Sequence, residues 1–314
     1  MEILQIFSRK ELSMEKGSIA VIILAFNEEK HIERCIENVK QFASEIFVVD
    51  SYSTDKTREI AQNFGADVYT HKWENYSRQF SWALKNLPIQ SEWILRLDAD
   101  EYLSTELIRE ITAEINQVAE NVNGFTAQRL VIFLGKYIKH GILPLIMLRL
   151  FRRGYGFIED RQMDEHIVLT SGEVHALKHP FYDDNLNGIT WWTNKHNGYA
   201  TREAIDLLMT EYGLLDNTSI QSGGTHSASI RRKKLKYIRL PLFWRAFFFF
   251  ILRYIFRLGF LDGKEGFLWH FLQGFWYRAL ADAKVFEIKK QFRFDDVAIK
   301  QYLIDNYVHT ATNE

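Results

Sequence analysis

Trp93-Ile94-Leu95-Arg96-Leu97-Asp98-Ala99-Asp100-Glu101 is an apolar run that ends in a cluster of acids. Five residues of that length and character read as a buried strand. Side chains alternate along a strand, which puts Asp98 and Asp100 on one face at its carboxyl end. Paired carboxylates there suit a divalent cation that is also held by phosphate oxygens. Open α/β sheets collect their ligands at that same edge.

The segments upstream alternate strand and helix. Ile19 to Ala25 is a continuous apolar strand of the type buried on both faces. Glu29 to Phe42 reads as a helix, with Ile32, Ile36 and Val39 on one side. Cys35, the single cysteine, falls on that side and reads as a core residue; a reactive thiol is the other reading. Glu45 to Asp50 is a second strand, followed by a helix to Phe64 with N-cap chemistry in Ser53-Thr54-Asp55 and a stop at Gly65. Asp67 to Tyr69, a helix over Tyr76 to Leu87 and the strand at Trp93 complete a βαβα rhythm. That rhythm predicts an α/β fold, a mostly parallel sheet covered by helices. Beyond Gly124 the pattern changes: strands at Gly124 to Phe133, Met147 to Arg152 and Ile167 to Leu169, then a helix over Tyr199 to Tyr212.

Two more strand ends carry polar groups: Ala25-Phe26-Asn27-Glu28-Glu29 and Val49-Asp50-Ser51-Tyr52-Ser53-Thr54-Asp55. Both are rich in groups that hydrogen-bond a ribose or a base. As turn and cap residues, Asn27 and Thr54-Asp55 also have a purely structural reading. The chain has neither G-x-G-x-x-G after its first strand nor G-x-x-x-x-G-K-[ST], which disfavours a nicotinamide dehydrogenase and a P-loop nucleotidase. A nucleotidyltransferase is weakened by the lack of a glycine- and lysine-rich triphosphate loop. Phosphate handling then falls to a metal and to basic side chains.

Formal net charge is −1, so nothing global points to nucleic acid. The balance hides a local block, nine Lys or Arg and no acid from Arg231 to Leu261. Met1 to Gly17 mixes charges without a continuous apolar core, which argues against a signal peptide and for the cytosol or its membrane face.

Ile22-Ile23-Leu24-Ala25-Phe26-Asn27-Glu28, Val49-Asp50-Ser51 with Ser53-Thr54-Asp55, and Leu97-Asp98-Ala99-Asp100-Glu101 together resemble the family 2 glycosyltransferases of the GT-A fold. The resemblance covers about the first 170 residues. It implies that Asn27, Glu28 and Asp50, with Ser53 and Asp55, contact the nucleoside of a sugar nucleotide, usually UDP. It also implies that Asp98 and Asp100 bind Mn²⁺ or Mg²⁺ bridging the diphosphate. Arg78-Gln79-Phe80-Ser81-Trp82-Ala83 is similar to a segment of bacterial lipopolysaccharide-core glucosyltransferases, with Ser81 where that subgroup usually carries Asn; Gln79 joins the nucleotide contacts. Asp164-Glu165-His166, Tyr182, Lys195-His196-Asn197 with Tyr199, and Gly259-Phe260-Leu261-Asp262-Gly263 resemble the same subgroup.

Inverting transfer needs a base beside the acceptor hydroxyl and a stabilised diphosphate. Glu165 is the favoured base, with Asp164 second, where the family places its acidic pair; an ion pair with Arg161 is the structural alternative. His179 is a candidate third metal ligand. Lys195 or His196 is expected to hold phosphate oxygens from a closing loop.

Residues 1–225 are expected to form the GT-A catalytic domain, with a nucleotide-sugar half over about 17–135 and an acceptor half over about 136–225. Residues 226–314 form a helical, aromatic- and Arg-rich membrane-associating region. In its 242–261 segment, Arg245, Arg253 and Arg257 fall within about 120° of one another at 100° per residue. A spanning helix is disfavoured, since each central Arg costs about 3 kcal/mol. The pattern predicts a helix lying in the interface, its arginines toward headgroups and its Phe and Trp toward acyl chains. The competing reading is a helix packed on the protein with its arginines paired to acids. Phe267 to Lys284 extends the same surface.

The expected protein is a cytoplasmic glycosyltransferase bound peripherally to the inner face of an anionic membrane. It takes a nucleotide sugar as donor and a lipid-linked or lipopolysaccharide-core glycan as acceptor. Transfer to a polyprenyl phosphate, and a non-catalytic sugar-nucleotide-binding membrane protein, are the alternatives.

Overall fold

A computed structural model describes residues 17–159, 166–214 and 238–308. They form two compact units, one holding the chain to residue 137 and 143–186, the other 138–142 and the chain from 187 onward. The domain boundary expected near residue 225, the basic run 231–237, the amino-terminal segment 1–16 and the acidic pair Asp164-Glu165 lie outside the described residues.

In the first unit, every residue of β1 (Ile19–Ala25) is buried. Ile19, Val21, Ile23 and Ala25 face one apolar layer together with Ile32, Cys35, Ile36 and Val39 of α1 (Ile32–Val39). Ala20, Ile22 and Leu24 face the other, with Phe80 and Ala83 of α3 (Tyr76–Asn86). A strand sandwiched this way is why the sequence run shows no alternation. β1 pairs in parallel with β2 (Glu45–Asp50) on one side and β4 (Trp93–Asp98) on the other, and β2 pairs in parallel with β3 (Asp67–Thr70). α2 (Thr57–Asn63) links β2 to β3. Cys35 is buried, and desolvation, with Glu101 and Asp100 nearby, pushes its thiol well above the usual range. The core reading of that cysteine holds.

Past β4 the sheet becomes mixed. Its order runs β3-β2-β1-β4-β8-β6-β12-β5, with β5 (Glu101–Leu103), β6 (Val122–Phe133), β8 (Leu145–Arg152) and β12 (Phe181–Asp184). β7 (Lys136–Tyr137) and β11 (Glu173–Ala176) also pair with β6, and β9 (Gly156–Ile158) with β10 (Ile167–Leu169) forms a separate antiparallel pair. β4 and β8 are antiparallel, as are β8 and β6, whereas β12 runs parallel to β6. α4 (Thr105–Glu114), for which the sequence reading gave no element, starts at Ser104, whose hydroxyl accepts from the Leu107 amide at 3.1 Å.

The second unit is helical. α5 runs from Ile189 to Glu211 and starts ten residues before the predicted helix. Ala204, Ile205, Leu207 and Leu208 of α5 bury against Val285 of α8 (Tyr277–Gln291) and Ile299 and Leu303 of α9 (Asp296–Leu303). Between these lie α6 (Trp244–Ile251), continuing as a π-helical turn over Leu252–Phe256, and α7 (Gly263–Trp269), continuing as π-helix to Trp276.

Two of the three arginines grouped in this segment, Arg245 and Arg253, correct the predicted orientation. Arg245 is buried and donates from Nε to Asp282 Oδ1 at 2.8 Å, with Nη2 on the same oxygen. Arg253 is buried, donates from Nε to the Gly141 carbonyl at 3.1 Å and from Nη1 to Gln273. Both guanidiniums turn into the protein, because acid and carbonyl acceptors wait there, and the aromatic side faces out. Among the described residues, no helix is long and apolar enough to cross a membrane. The expected α/β class and helical, aromatic-rich carboxyl-terminal region are both present.

Candidate active site

The carboxyl ends of β2, β1 and β4 lie side by side, in a register that pairs Ala25 with Asp50 and Leu24 with Asp98. The loops beyond β1 and β2 are laced together. The Asn27 amide donates to Ser53 Oγ at 2.8 Å, Asn27 Oδ1 accepts from the Thr54 amide at 2.8 Å, and the Glu28 amide donates to Thr57 Oγ1 at 2.7 Å. Asn27 sits at φ 56°, a left-handed conformation that Asn tolerates because its short side chain bonds locally. Asp50 is buried; its Oδ1 accepts from the Ser53 amide at 2.8 Å and lies 3.7 Å from Arg58 Nε.

Ser53 and Asp55, expected as nucleotide contacts, hold these loops. The Ser53 hydroxyl donates to Asp50 Oδ2, and Asp55 accepts from the Glu29 amide at 3.2 Å and the Thr57 amide at 2.9 Å. Their turn and cap roles are therefore filled in the protein itself. The Glu28 carboxylate accepts from His31 Nδ1 at 2.6 Å, and His31 Nε2 accepts from the Leu186 amide at 2.8 Å, which fixes the imidazole proton on Nδ1. Gln79 is fully buried at the same edge, its amide donating to Ser51 Oγ at 3.0 Å while its carbonyl meets His71 Nδ1 at 2.6 Å.

At the end of β4 the structure departs from the strand geometry read from the sequence. The strand stops at Asp98, and Ala99–Asp100 turn into β5. The two aspartates consequently have different partners. Asp98 Oδ1 accepts from the Tyr76 hydroxyl and lies 4.0 Å from Arg96 Nη2, while Oδ2 lies 3.6 Å from Arg149 Nη2. Burial raises the Asp98 pKa, but Arg149, Arg96 and the Tyr76 hydroxyl outweigh it and bring the carboxyl down to about 2. Asp100 Oδ2 accepts from Asn185 Nδ2 at 2.9 Å. Beneath them, buried Glu101 pairs with buried Arg149. Desolvation and the Asp98 carboxylate push Glu101 up to about 8 against the pull of that guanidinium. Arg129 and Asp183, 3.5 Å apart, add a further arginine and a further acid beside these groups.

Asp98 and Asp100 supply hard carboxylate oxygens, the donors that Mn²⁺ and Mg²⁺ take when phosphate and water complete the shell. Among the described residues, no cluster of three or more His, Cys, Asp or Glu is arranged to hold a metal ion. The donor set fits a cation shared with a diphosphate rather than an all-protein cage. His179 is not part of it. Its Nδ1 bonds Glu110 Oε2 at 2.9 Å just before β12, whereas Asp100 neighbours the far end of that strand, its carbonyl accepting from the Asp184 amide at 3.1 Å. Lys195 and His196, expected on a loop, sit on α5 in the second unit. Lys195 Nζ lies 4.6 Å from the Trp191 ring centroid, and His196 stacks on Trp192 at 3.5 Å with Nδ1 against the Trp192 carbonyl.

Sequence reasoning missed Tyr76, Arg96 and Arg149, the groups that fix Asp98. A signal was there: an arginine inside an apolar strand, as in Trp93–Asp98 and Leu145–Arg152, must find a buried anion. It also missed Arg34, which bonds Asp184 Oδ2 at 2.5 Å and reaches the Asp100 carbonyl at 3.4 Å.

Comparison with known proteins gives the same direction. The model of the family Glycosyl transferase family 2 matches residues 20–186. The chain is 31% identical over 202 residues to an uncharacterized glycosyltransferase of Rickettsia typhi, covering 60% of this chain and 68% of that protein. It is 30% identical to one of Rickettsia felis over 270 residues, 81% and 84% of the two chains. Over 165 residues, 51% of this chain and 60% of the other, it is 30% identical to the lipopolysaccharide core biosynthesis glycosyltransferase LpsC of Rhizobium meliloti. Among solved structures, glucosyl-3-phosphoglycerate synthase of Mycobacterium tuberculosis, in complex with Mn²⁺, UDP and glucosyl-3-phosphoglycerate, aligns at a TM-score of 0.31 and 20% identity. That alignment spans 37% of this chain and 44% of the synthase.

Proposed function

The chain belongs to glycosyl transferase family 2, and from that membership we propose a metal-dependent, inverting enzyme that moves a hexose or N-acetylhexosamine from a UDP-sugar to a lipopolysaccharide-core or other lipid-linked glycan. One observation carries the donor half of the reading. The parallel register of β2, β1 and β4 gathers Asn27 and Glu28, Asp50, and Asp98 with Asp100 at one sheet edge. Asn27, which is exposed, and Glu28 are the proposed nucleoside contacts, with Asp50 and Gln79 buried behind them and holding the loops in place. Asp98 and Asp100 are the residues to hold Mn²⁺ or Mg²⁺, which when bound neutralises charge developing on the diphosphate as the glycosidic bond breaks. Asp98, kept ionised by Arg149 and Arg96, is ready for that role at any working pH. Similarity to LpsC supports the acceptor class. Glu165, with Asp164 second, is the proposed base for the acceptor hydroxyl.

The test is calorimetric titration of UDP, with GDP as control, in Mn²⁺ and in EDTA, for wild type and Asp100→Ala. Metal-dependent UDP binding that the variant loses is the expected result. Equal binding in EDTA removes the metal from the reading, and no binding of either nucleotide removes the donor site. Glu165→Gln then addresses the acceptor. Loss of most turnover fits a neutral hydroxyl, and full turnover identifies an acceptor already anionic, such as a polyprenyl phosphate.

A further inference from the structure

Residues 244–276 fold back on themselves as a helical hairpin within the second unit. Phe250 of the first leg packs edge-on against Phe267 and Phe271 of the second, and Tyr254 against Phe267. The segment is about a tenth of the chain, yet it holds twelve of the thirty exposed large hydrophobic residues among the described residues. Trp244 is 59% exposed, Phe248 62%, Phe256 74% and Leu261 55%. Scattered apolar residues are ordinary on a protein surface; a contiguous aromatic face is not.

We propose that this hairpin inserts its aromatic face into one leaflet of an anionic lipid bilayer. Charge complementarity selects that occupant over a protein partner. The sequence from Arg231 to Leu261 carries nine Lys or Arg and no acid; Arg245 and Arg253 are buried, which leaves seven cations to meet an anionic leaflet. The buried cations do not oppose insertion. Arg245 is paired with Asp282, and Arg253 is bonded to the Gly141 carbonyl and Gln273, so neither guanidinium must enter hydrocarbon bare. The backbone is helical along both legs, which leaves few peptide groups for lipid to strip of water. Length sets the depth. Thirteen residues from Trp244 to Phe256 rise about 20 Å, short of the hydrocarbon core of about 30 Å. The hairpin enters one leaflet and does not cross.

This inference is independent of the donor-site reading, since a chain that binds no UDP still inserts. The experiment is flotation of the full-length protein with phosphatidylglycerol/phosphatidylethanolamine vesicles and with phosphatidylcholine vesicles. Phe248→Glu/Phe256→Glu is compared with wild type, and so is Arg231→Gln/Arg232→Gln/Lys233→Gln/Lys234→Gln. Phe248 and Phe256 are exposed, so the first variant keeps the fold, checked by circular dichroism. Each variant is expected to lower partition into anionic vesicles at least tenfold. Brominated lipids are expected to quench wild-type tryptophan emission more than that of Trp244→Phe. Two results overturn the proposal: protein that stays in solution at every anionic lipid concentration, or a dimer that Phe248→Glu/Phe256→Glu converts to monomer while lipid binding is unchanged. The second outcome assigns the face to another copy of the chain.

Discussion

Arg149 Nη2 stands 3.6 Å from Asp98 Oδ2 while the same guanidinium is ion-paired with Glu101. One buried cation thus spans two carboxylates, one at the rim of the proposed site and one beneath it. Removing it leaves the ionised Asp98 with Arg96, 4.0 Å away, and takes the guanidinium donor from Glu101, which is 1% exposed. Arg149→Leu is expected to cost about 1–3 kcal/mol, the usual penalty for a buried acceptor that loses its donor. Urea denaturation at neutral pH measures this, and a loss under 1 kcal/mol would show that the pair does not hold the floor together.

Tyr76 acts on the same carboxylate from the helix side. Its hydroxyl donates to Asp98 Oδ1 and accepts from Arg96 Nε at 2.7 Å, and its ring lies 4.1 Å from the Arg96 guanidinium carbon. Tyr76→Phe keeps the stacking and removes both hydrogen bonds. The expected cost is about 1–3 kcal/mol, from leaving Arg96 Nε unsatisfied. Stability equal to wild type in thermal unfolding contradicts the assignment.

How much of this was legible in the sequence depends on which residues carried it. β1 to β4 were readable because a strand buried on both faces is continuously apolar, and Ile19–Ala25 and Trp93–Asp98 have that form. The gathering of Asn27, Asp50 and Asp98 at one edge follows from the parallel rhythm alone. The turn at Ala99–Asp100 did not follow, because two residues leave no period to read. Nor did the first half of α5, where Trp191, Thr193 and Asn194 are weak helix formers and the buried Trp192, against Trp269 and Trp276, supplies the packing. Helical angles correctly grouped Arg245 and Arg253. They carry no information on whether that side meets solvent or Asp282, and the structure chose Asp282.

His270 makes the second unit sensitive to acid. It is fully buried between Gly141, at φ 73°, and Gly259; a β-carbon on either would come within 2.5 Å of the ring. Burial and the Arg253 guanidinium push it down to about 4, against Asp262 and the His140 backbone. The unfolded chain takes up this proton near pH 6.5 and the folded chain only near 4, so the unfolded state binds more protons in between. Stability is full above about pH 6.5 and falls as the pH drops toward 4, by about 3 kcal/mol for this residue. His270→Gln is expected to flatten that slope in denaturation curves taken at pH 7.5, 6 and 5. An unchanged slope assigns the acid sensitivity elsewhere.

Asp262, in the Gly259–Gly263 motif, holds the strap at 138–142. Its Oδ2 accepts from the Lys139 and His140 amides at 2.9 and 2.8 Å, and its Oδ1 meets His140 Nδ1 at 2.7 Å. Asp262→Ala is expected to cost about 3 kcal/mol, since bonds to a charged acceptor contribute about 1.5–3 kcal/mol each and are not additive. Hydrogen exchange at the Lys139 and His140 amides should rise at least tenfold. Protection retained in the variant means the strap is held by the Gly141–Arg257 and Arg253–Gly141 bonds instead.

The two rim aspartates should separate stability from binding. Asp98 neutralises Arg149 and Arg96 and takes the Tyr76 hydroxyl, so Asp98→Ala removes a structural anion along with a metal donor. Asp100 sits in the turn after β4 with Asn185 on Oδ2, so Asp100→Ala removes a donor from a site whose charges stay balanced. Asp100→Ala should therefore unfold within about 1 kcal/mol of wild type, as substitutions away from buried charge do. Asp98→Ala should lose several kcal/mol, because it takes the ionised partner from the buried Arg149 and Arg96 guanidiniums. Both should abolish the Mn²⁺-dependent part of UDP affinity in calorimetry. If Asp100→Ala keeps that part while Asp98→Ala loses it at matched folded fraction, the cation is held by Asp98 alone. Arg149 then becomes its competitor for the same oxygens, and Arg149→Lys should tighten metal-dependent binding.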